Sequence, residues 1–346
     1  METSAVKKVN FPPEWHEQDG VMLTWPHDGT DWASILPEVE QTYLRIAREI
    51  IKREKLLLVC RKKEAIIRLF QPGELEKIHL FEMASDDTWS RDQGPITTLI
   101  NQIPAIHDFT FNGWGGKFYA ANDNGITRKL FQTGAFRPGS LYFQHDWVLE
   151  GGSIETDGEG TILTTAPCLL NSNRNGEIST EQAEFVLKEY LGAKRILWLD
   201  HGHLEGDDTD SHIDTLARFC NRNTICYVSC SDLNDPHYLS LKKMEQQLQG
   251  FRTINGEPYR LVPLPMVSPR YDVDGRRLPA TYANFLIINQ AVLMPVYQVP
   301  EDKVAVQVMQ SLFPEREIVA IDCTSLIKQY GSLHCITMQI PKGFLP

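Results

Sequence analysis

Four short stretches of this 346-residue chain hold most of the side chains able to do chemistry. Asp86 and Asp87 lead through Thr88 into Trp89-Ser90-Arg91-Asp92-Gln93-Gly94-Pro95. Glu150-Gly151-Gly152-Ser153 comes directly after the apolar Trp147-Val148-Leu149. Asp207, Asp208, Asp210 and Asp214 surround His212. Finally Gly331-Ser332-Leu333-His334-Cys335 runs into the strand-like residues 336–340.

A cysteine in an apolar strand ordinarily does nothing but pack. Cys335 differs because it stands where a glycine-bearing loop enters a strand, close to polar groups. As a nucleophile it would need a base. His334 is adjacent, but neighbouring strand side chains point to opposite faces, which makes it the poorer candidate. His212 and Asp214 are two apart, so an extended segment would send both to one face. Asp207 and Asp208 read instead as a solvated turn held by Asx-type hydrogen bonds. A metal reading of His201, His203, Glu205 and His212 has ligand chemistry in its favour. Its spacing matches no zinc pattern such as HExxH, and no CxxC accompanies it.

The elements around these stretches alternate between strand and helix. Residues 36–55 predict a helix with Val39, Tyr43, Ile46, Ile50 and Ile51 on its buried face and Pro37 in its first turn. A buried strand over 56–60, a short helix over 64–70 and a strand over 77–83 follow. The alternation recurs as a helix over 180–191, a strand over 195–199, a helix over 235–249 with Asp235 as N-cap, a helix over 302–312 and a strand over 317–321. Residues 283–288 and 291–296 read as a hairpin. The pattern is α/β with mixed sheets, and no linker divides it, so one domain over 1–346 is expected. No GxGxxG or GxxxxGK[ST] is present, so neither dinucleotide nor P-loop chemistry is indicated.

A net charge of −11 argues against nucleic acid and anionic membranes as partners and suits a cationic small molecule. With 42% hydrophobic and 23% charged residues the composition is that of a soluble globular protein. The longest uncharged apolar stretch, 284–300, is broken by Asn289, Gln290 and Pro295, so it reads as two buried strands rather than a membrane span. The first ten residues carry no apolar export segment. Seven scattered cysteines suggest no disulfide framework. A cytoplasmic chain with free thiols is the expectation.

Taken together, these stretches resemble the agmatine deiminase family, also called Porphyromonas-type peptidylarginine deiminases, of the guanidino-group-modifying pentein superfamily. Trp15-His16-Glu17, Met22-Leu23-Thr24-Trp25-Pro26, Phe111-Asn112-Gly113-Trp114-Gly115-Gly116-Lys117, Cys168-Leu169-Leu170-Asn171 and Tyr282-Ala283-Asn284-Phe285 extend the resemblance over nearly the whole chain. It departs at Tyr330-Gly331-Ser332, where many relatives carry glycines, and at Ser211, where glycine is common. The resemblance implies a five-fold pseudo-symmetric α/β propeller of ββαβ units. It further implies Cys335 as nucleophile, His212 as acid/base, Asp92 and Asp214 as guanidinium-binding carboxylates, and Glu150 as support for His212. Trp89 would pack against the substrate chain, and Arg91 stands beside Asp92 as a further candidate substrate-binding residue. The implied reaction converts agmatine to N-carbamoylputrescine and ammonia, in putrescine and polyamine biosynthesis, without metal or organic cofactor. Alternatives are a deiminase of free or peptidyl arginine, with Arg91, Arg174, Arg276 or Arg277 holding a carboxylate, an amidinotransferase, or a non-catalytic binding protein. A homo-oligomer is compatible with the sequence.

Overall fold

A computed structural model describes residues 8–346, and the reading of residues 1–7 as free of an export segment lies outside them. One connectivity, strand–strand–helix–strand, recurs five times. Each unit pairs its first two strands antiparallel and adds the third in parallel beside the second. Four units run Ile96–Ile100, Ile103–Thr110, Leu141–Val148; Ile154–Thr156, Thr161–Thr165, Arg195–Leu199; Ala217–Asn221, Thr224–Ser229, Arg260–Pro265; and Leu286–Ile288, Ala291–Val296, Glu317–Asp322. In the fifth, the last strand Thr337–Pro341 lies antiparallel to Gln18–Thr24, with Lys55–Cys60 and Ile78–Glu82 parallel beyond it. The two ends of the described chain therefore meet in one sheet.

The parallel step within each of the five units requires a crossover, and a helix supplies it. These are Ile126–Gln132, Thr180–Leu191, Tyr238–Gly250, Glu301–Leu312 and Leu36–Ile51. The last buries Val39, Tyr43, Ile46, Ile50 and Ile51 as its spacing predicts. Their apolar faces cover strands buried to the last atom: Leu56, Leu57, Leu58 and Val59 are all 0% exposed.

Several boundaries differ from the sequence reading for local reasons. The helix expected over 36–55 stops at Ile51, because Lys55 pairs with Gly20 in the sheet. A Cβ on Gly20 would lie 2.4 Å from the Lys55 carbonyl oxygen, so only glycine permits that approach. The helix expected from 235 begins at Tyr238; the Asp235 carboxylate instead accepts the His237 N–H and pairs with Arg277. The short helix over 64–70 is Lys63–Ile67 followed by a turn. The first hairpin strand starts at Leu286 rather than 283, leaving Ala283 and Asn284 in the segment that enters it. The seven cysteines are all unpaired. Among the described residues no helix is long and apolar enough to cross a membrane.

Candidate active site

Polar side chains converge from equivalent places in the five units, the segment just before each first strand. Trp89 and Asp92 come from the turn Ser90–Gln93 and its lead-in, before Ile96. Glu150 and Gly152 precede Ile154, while His212 and Asp214 precede Ala217. Asn284 precedes Leu286, and Cys335 precedes Thr337. His212 and Asp214 reach a common point by a different backbone from the extended one expected, through the 3-10 turn Ile213–Thr215.

Gly152 is the centre of this convergence. Its N–H donates to Asp92 Oδ1 at 3.0 Å. A Cβ there would lie 2.7 Å from both Asp92 Oδ1 and His212 Nδ1, and 3.2 Å from Asp214 Oδ2. Asp92 Oδ2 accepts the Trp114 Nε1–H at 2.9 Å. His212 Nδ1 stands 3.6 Å from Asp92 Oδ1, and its Nε2 stands 3.7 Å from Glu150 Oε2. Arg174 Nε donates to both Glu150 oxygens at 3.1 Å. Asp214 Oδ2 lies 2.8 Å from His334 Nδ1 and 3.9 Å from Cys335 Sγ. Asp214 Oδ1 is buried and has no partner among the described residues. Asn284 Oδ1 accepts the Cys335 N–H at 3.3 Å and the thiol at 3.4 Å.

The electrostatics follow from burial and mutual charge. Burial pushes the Cys335 thiol well above its ordinary range, and Asp214 and Asp92 push it further. Burial lifts the Asp92 carboxyl to about 6; His212 opposes, while Asp214 and Glu150 add to the rise. Burial alone would push His212 down, but Asp92, Cys168 and Glu150 hold it well above 6.5. Burial also works against Asp214, yet His334, His212 and Arg218 keep it below its ordinary value.

Above these groups lies a narrow cleft, with Cys335 and Asp92 among its lining residues. Trp89, Trp114, Phe118 and Tyr330 give it apolar walls, and Asp31, Asp87 and Asp208 line it as well. Trp89 is held between Trp32 and Trp114, with ring centroids 5.6 and 6.1 Å away, and donates Nε1–H to Asp87 Oδ2 at 3.0 Å. Buried thiol, imidazole and paired carboxylates beneath an acidic, aromatic slot suit covalent attack on a flat, positively charged group.

Cys335, His212, Asp92, Asp214 and Glu150 are brought together, and Trp89 forms a wall. Arg91 is not part of this site. Its guanidinium faces away, donating to Gln339 Oε1 at 2.5 Å and lying 3.7 Å from Glu14, and it lines a separate cavity. His334 turns from the thiol into a buried cluster, with Glu14 2.7 Å and Arg218 3.0 Å from its Nε2. Asp207 does hold its turn, accepting from Thr209 and Ser211. Asp208 lines the cleft rather than facing solvent, and burial next to Asp207 lifts it to about 7. Two groups of three metal-binding side chains occur among the described residues, Glu150-Cys168-His212 and Glu14-Glu155-His334; neither includes His201, His203 or Glu205. Asn284 was missed as a contact of Cys335, although its place before the first strand of a repeat unit is the signal that finds it.

A sequence profile of the Porphyromonas-type peptidyl-arginine deiminase family matches residues 10–341. An agmatine deiminase of Stutzerimonas stutzeri (strain A1501) is 32% identical over 359 residues, covering 97% of this chain and 96% of the relative. A solved structure from Porphyromonas gingivalis, provisionally described as an arginine deiminase, superposes with a TM-score of 0.95 at 53% identity, over 98% and 100% of the two chains. A cysteine-to-serine variant of C. jejuni agmatine deiminase, solved with substrate bound, gives 0.91 at 38% identity over 97% of each.

Proposed function

The chain belongs to the Porphyromonas-type peptidyl-arginine deiminase family, and from that premise we propose that it is an agmatine deiminase. Agmatine is a dication, with a guanidinium at one end of a four-carbon chain and an ammonium at the other. The observation that carries the choice is the charge of the cleft, whose lining residues include Asp31, Asp87, Asp92 and Asp208 and no lysine or arginine. The P. gingivalis relative is more similar than the C. jejuni enzyme, so identity alone does not choose between arginine and agmatine. The cleft's lining residues offer an α-carboxylate no cation. Arg174 is committed to Glu150 and Asp210 and Arg277 to Asp235, while Arg276, stacked on the cleft residue Tyr330, is shared with Asp272 and Asp274.

The mechanism uses each converging group once. Asp92 and Asp214 accept guanidinium N–H groups, contributing about 1.5–3 kcal/mol per charge-assisted bond and fixing the central carbon against Cys335 Sγ. Cys335 releases its proton to solvent as the cationic substrate binds, and the thiolate adds to that carbon. His212, held cationic, passes a proton from Nδ1 to the departing ammonia, leaving a covalent thiouronium. Neutral His212 then takes a proton from water, the hydroxide attacks, and the C–S bond breaks to give N-carbamoylputrescine. Glu150, oriented by Arg174, steadies the far side of the imidazole. The elevated thiol makes the substrate's own positive charge the agent that favours thiolate formation. The product is suited to putrescine biosynthesis.

We read the five units as blades of a pentein propeller in one catalytic domain, each contributing to the site from the same position. Seven free cysteines fit a reducing compartment, so we assign the activity to the cytoplasm. The test is ammonia release from agmatine, arginine and a blocked arginine peptide. Agmatine should have the highest kcat/KM. Preference for arginine would keep the chemistry and overturn the substrate.

A further inference from the structure

On the far side of His212 from the cleft, three ligand atoms of different chemistry converge. A Glu150 carboxylate oxygen, Cys168 Sγ and a His212 ring nitrogen all lie within 4.8 Å of one another. The three side chains are buried, at 1%, 0% and 1% exposure. His212 Nε2, the nitrogen turned this way, is buried and makes no hydrogen bond among the described residues. Cys168 comes from the turn Ala166–Leu169 after strand Thr161–Thr165, and in the hydrolysis above it touches no reacting atom and serves only as a neighbour of the His212 imidazole.

We propose that Glu150, Cys168 and His212 form a binding site for a borderline-soft divalent cation, of which Zn²⁺ is the type, and that its occupation silences the enzyme. The donor set selects the ion class. Thiolate and imidazole suit Zn²⁺ and disfavour Mg²⁺ or Ca²⁺, and three protein ligands leave one position open. At metal–ligand distances of about 2.0–2.3 Å, tetrahedral neighbours stand roughly 3.3–3.8 Å apart. The 3.7 Å between His212 Nε2 and Glu150 Oε2 already falls in that range. Binding releases two protons to solvent, from the Cys168 thiol and the His212 imidazolium, and leaves the dication against one thiolate and the Glu150 carboxylate that Arg174 also holds. Arg174, bonded to both Glu150 oxygens and paired with Asp210, orients the carboxylate as an outer-shell partner would.

The position sets the kinetic signature. The ion would sit behind the imidazole rather than in the slot lined by Cys335, Asp92 and Trp89. It would fix His212 while leaving the substrate's place free, so kcat falls and KM is retained. All three ligands are buried, so occupation requires local opening and inhibition sets in slowly. The inhibition rests on the proposed role of His212; binding of the ion does not.

The test uses Co²⁺ as a visible surrogate, titrated into the full chain and into Cys335→Ser, Cys168→Ser and Cys168→Ala. A thiolate-to-cobalt charge-transfer band should form in the first two and be lost in both Cys168 variants, whose folding is checked by near-UV circular dichroism. Zn²⁺ should bind the folded Cys168 variant more than about 10-fold more weakly than the parent, since losing a ligand costs at least as much as losing an outer-shell partner. In the parent it should lower kcat at unchanged KM. A band lost in Cys335→Ser and kept without Cys168 would put the ion on the cleft thiol and overturn the proposal. No band in any of the four proteins would overturn it too.

Discussion

Cys335 Sγ lies 3.9 Å from the Asp214 carboxylate, so the proposed nucleophile faces a negative group before any substrate arrives. Burial and this neighbour hold the thiol well above its usual range, with Asp92 adding to the effect. Alkylation of the free enzyme by neutral iodoacetamide should therefore keep rising with pH past 9, because only the thiolate reacts. A cationic haloacetamidine, which brings its own charge, should react far faster at pH 7. Equal rates at neutral pH, or a free-enzyme plateau below pH 7, would count against substrate-assisted ionisation.

Agmatine binding should improve with pH across neutrality. Burial, reinforced by Asp31, lifts Asp87 to about 7, and burial beside Asp207 lifts Asp208 to about 7. Both are mostly protonated below pH 7, and a cation prefers the carboxylate. KM for agmatine should fall as pH rises from about 6 to about 8. Butylguanidine, which lacks the terminal ammonium, should show a smaller change. Identical pH profiles for the two would remove Asp87 and Asp208 from substrate recognition.

Much of the site was legible because its residues carry rare chemistry at fixed spacing. Cys335, His212, Asp92, Asp214 and Glu150 all arrive at one place. His334 does point into the cluster of Glu14 and Arg218, but from a turn ahead of strand Thr337–Pro341 rather than by strand alternation, and its ring bonds Asp214 from behind. Arg91 was misplaced because its neighbour Asp92 faces the site, and the two side chains leave the short turn Ser90–Gln93 in different directions. Asp208 looked solvated because a run of aspartates ordinarily is; Trp114 and Phe118, from a distant loop, close the slot beside it. Helix bodies followed from periodicity, whereas their ends were set by partners remote in sequence, as with Gly20 against Lys55.

Gly152→Ala should fold and barely turn over. The added Cβ would stand 2.7 Å from Asp92 Oδ1 and His212 Nδ1, displacing two groups whose separation the chemistry needs. A displacement of about 1 Å can cost a hundredfold, so kcat should drop by at least about that factor. Activity near that of the parent would show that the two side chains do not have to hold this spacing.

Gly331→Ala tests the slot rather than the chemistry. Its Cβ would meet the Trp89 ring at 2.1, 2.5 and 3.0 Å, forcing the indole aside. KM for agmatine should rise more than kcat falls, and intrinsic tryptophan fluorescence should report the shift. A fall confined to kcat would deny Trp89 a part in holding the substrate chain.

Arg218→Met should be costly to stability. Arg218 is 0% exposed, pairs with Glu155 and lies 2.9 Å from Glu14. Its loss strands buried carboxylates, a change worth about 3–5 kcal/mol. Urea denaturation measures it, and a loss under about 1 kcal/mol would mean that the cluster does not depend on this charge.

The most direct test of the central claim is acid-quenched mass spectrometry during agmatine turnover. The peptide containing Cys335 should carry the mass of agmatine less ammonia. Cys335→Ala should carry no adduct and lose activity by more than about a thousandfold. Turnover undiminished in Cys335→Ala, or an adduct on another residue, would contradict covalent catalysis by Cys335.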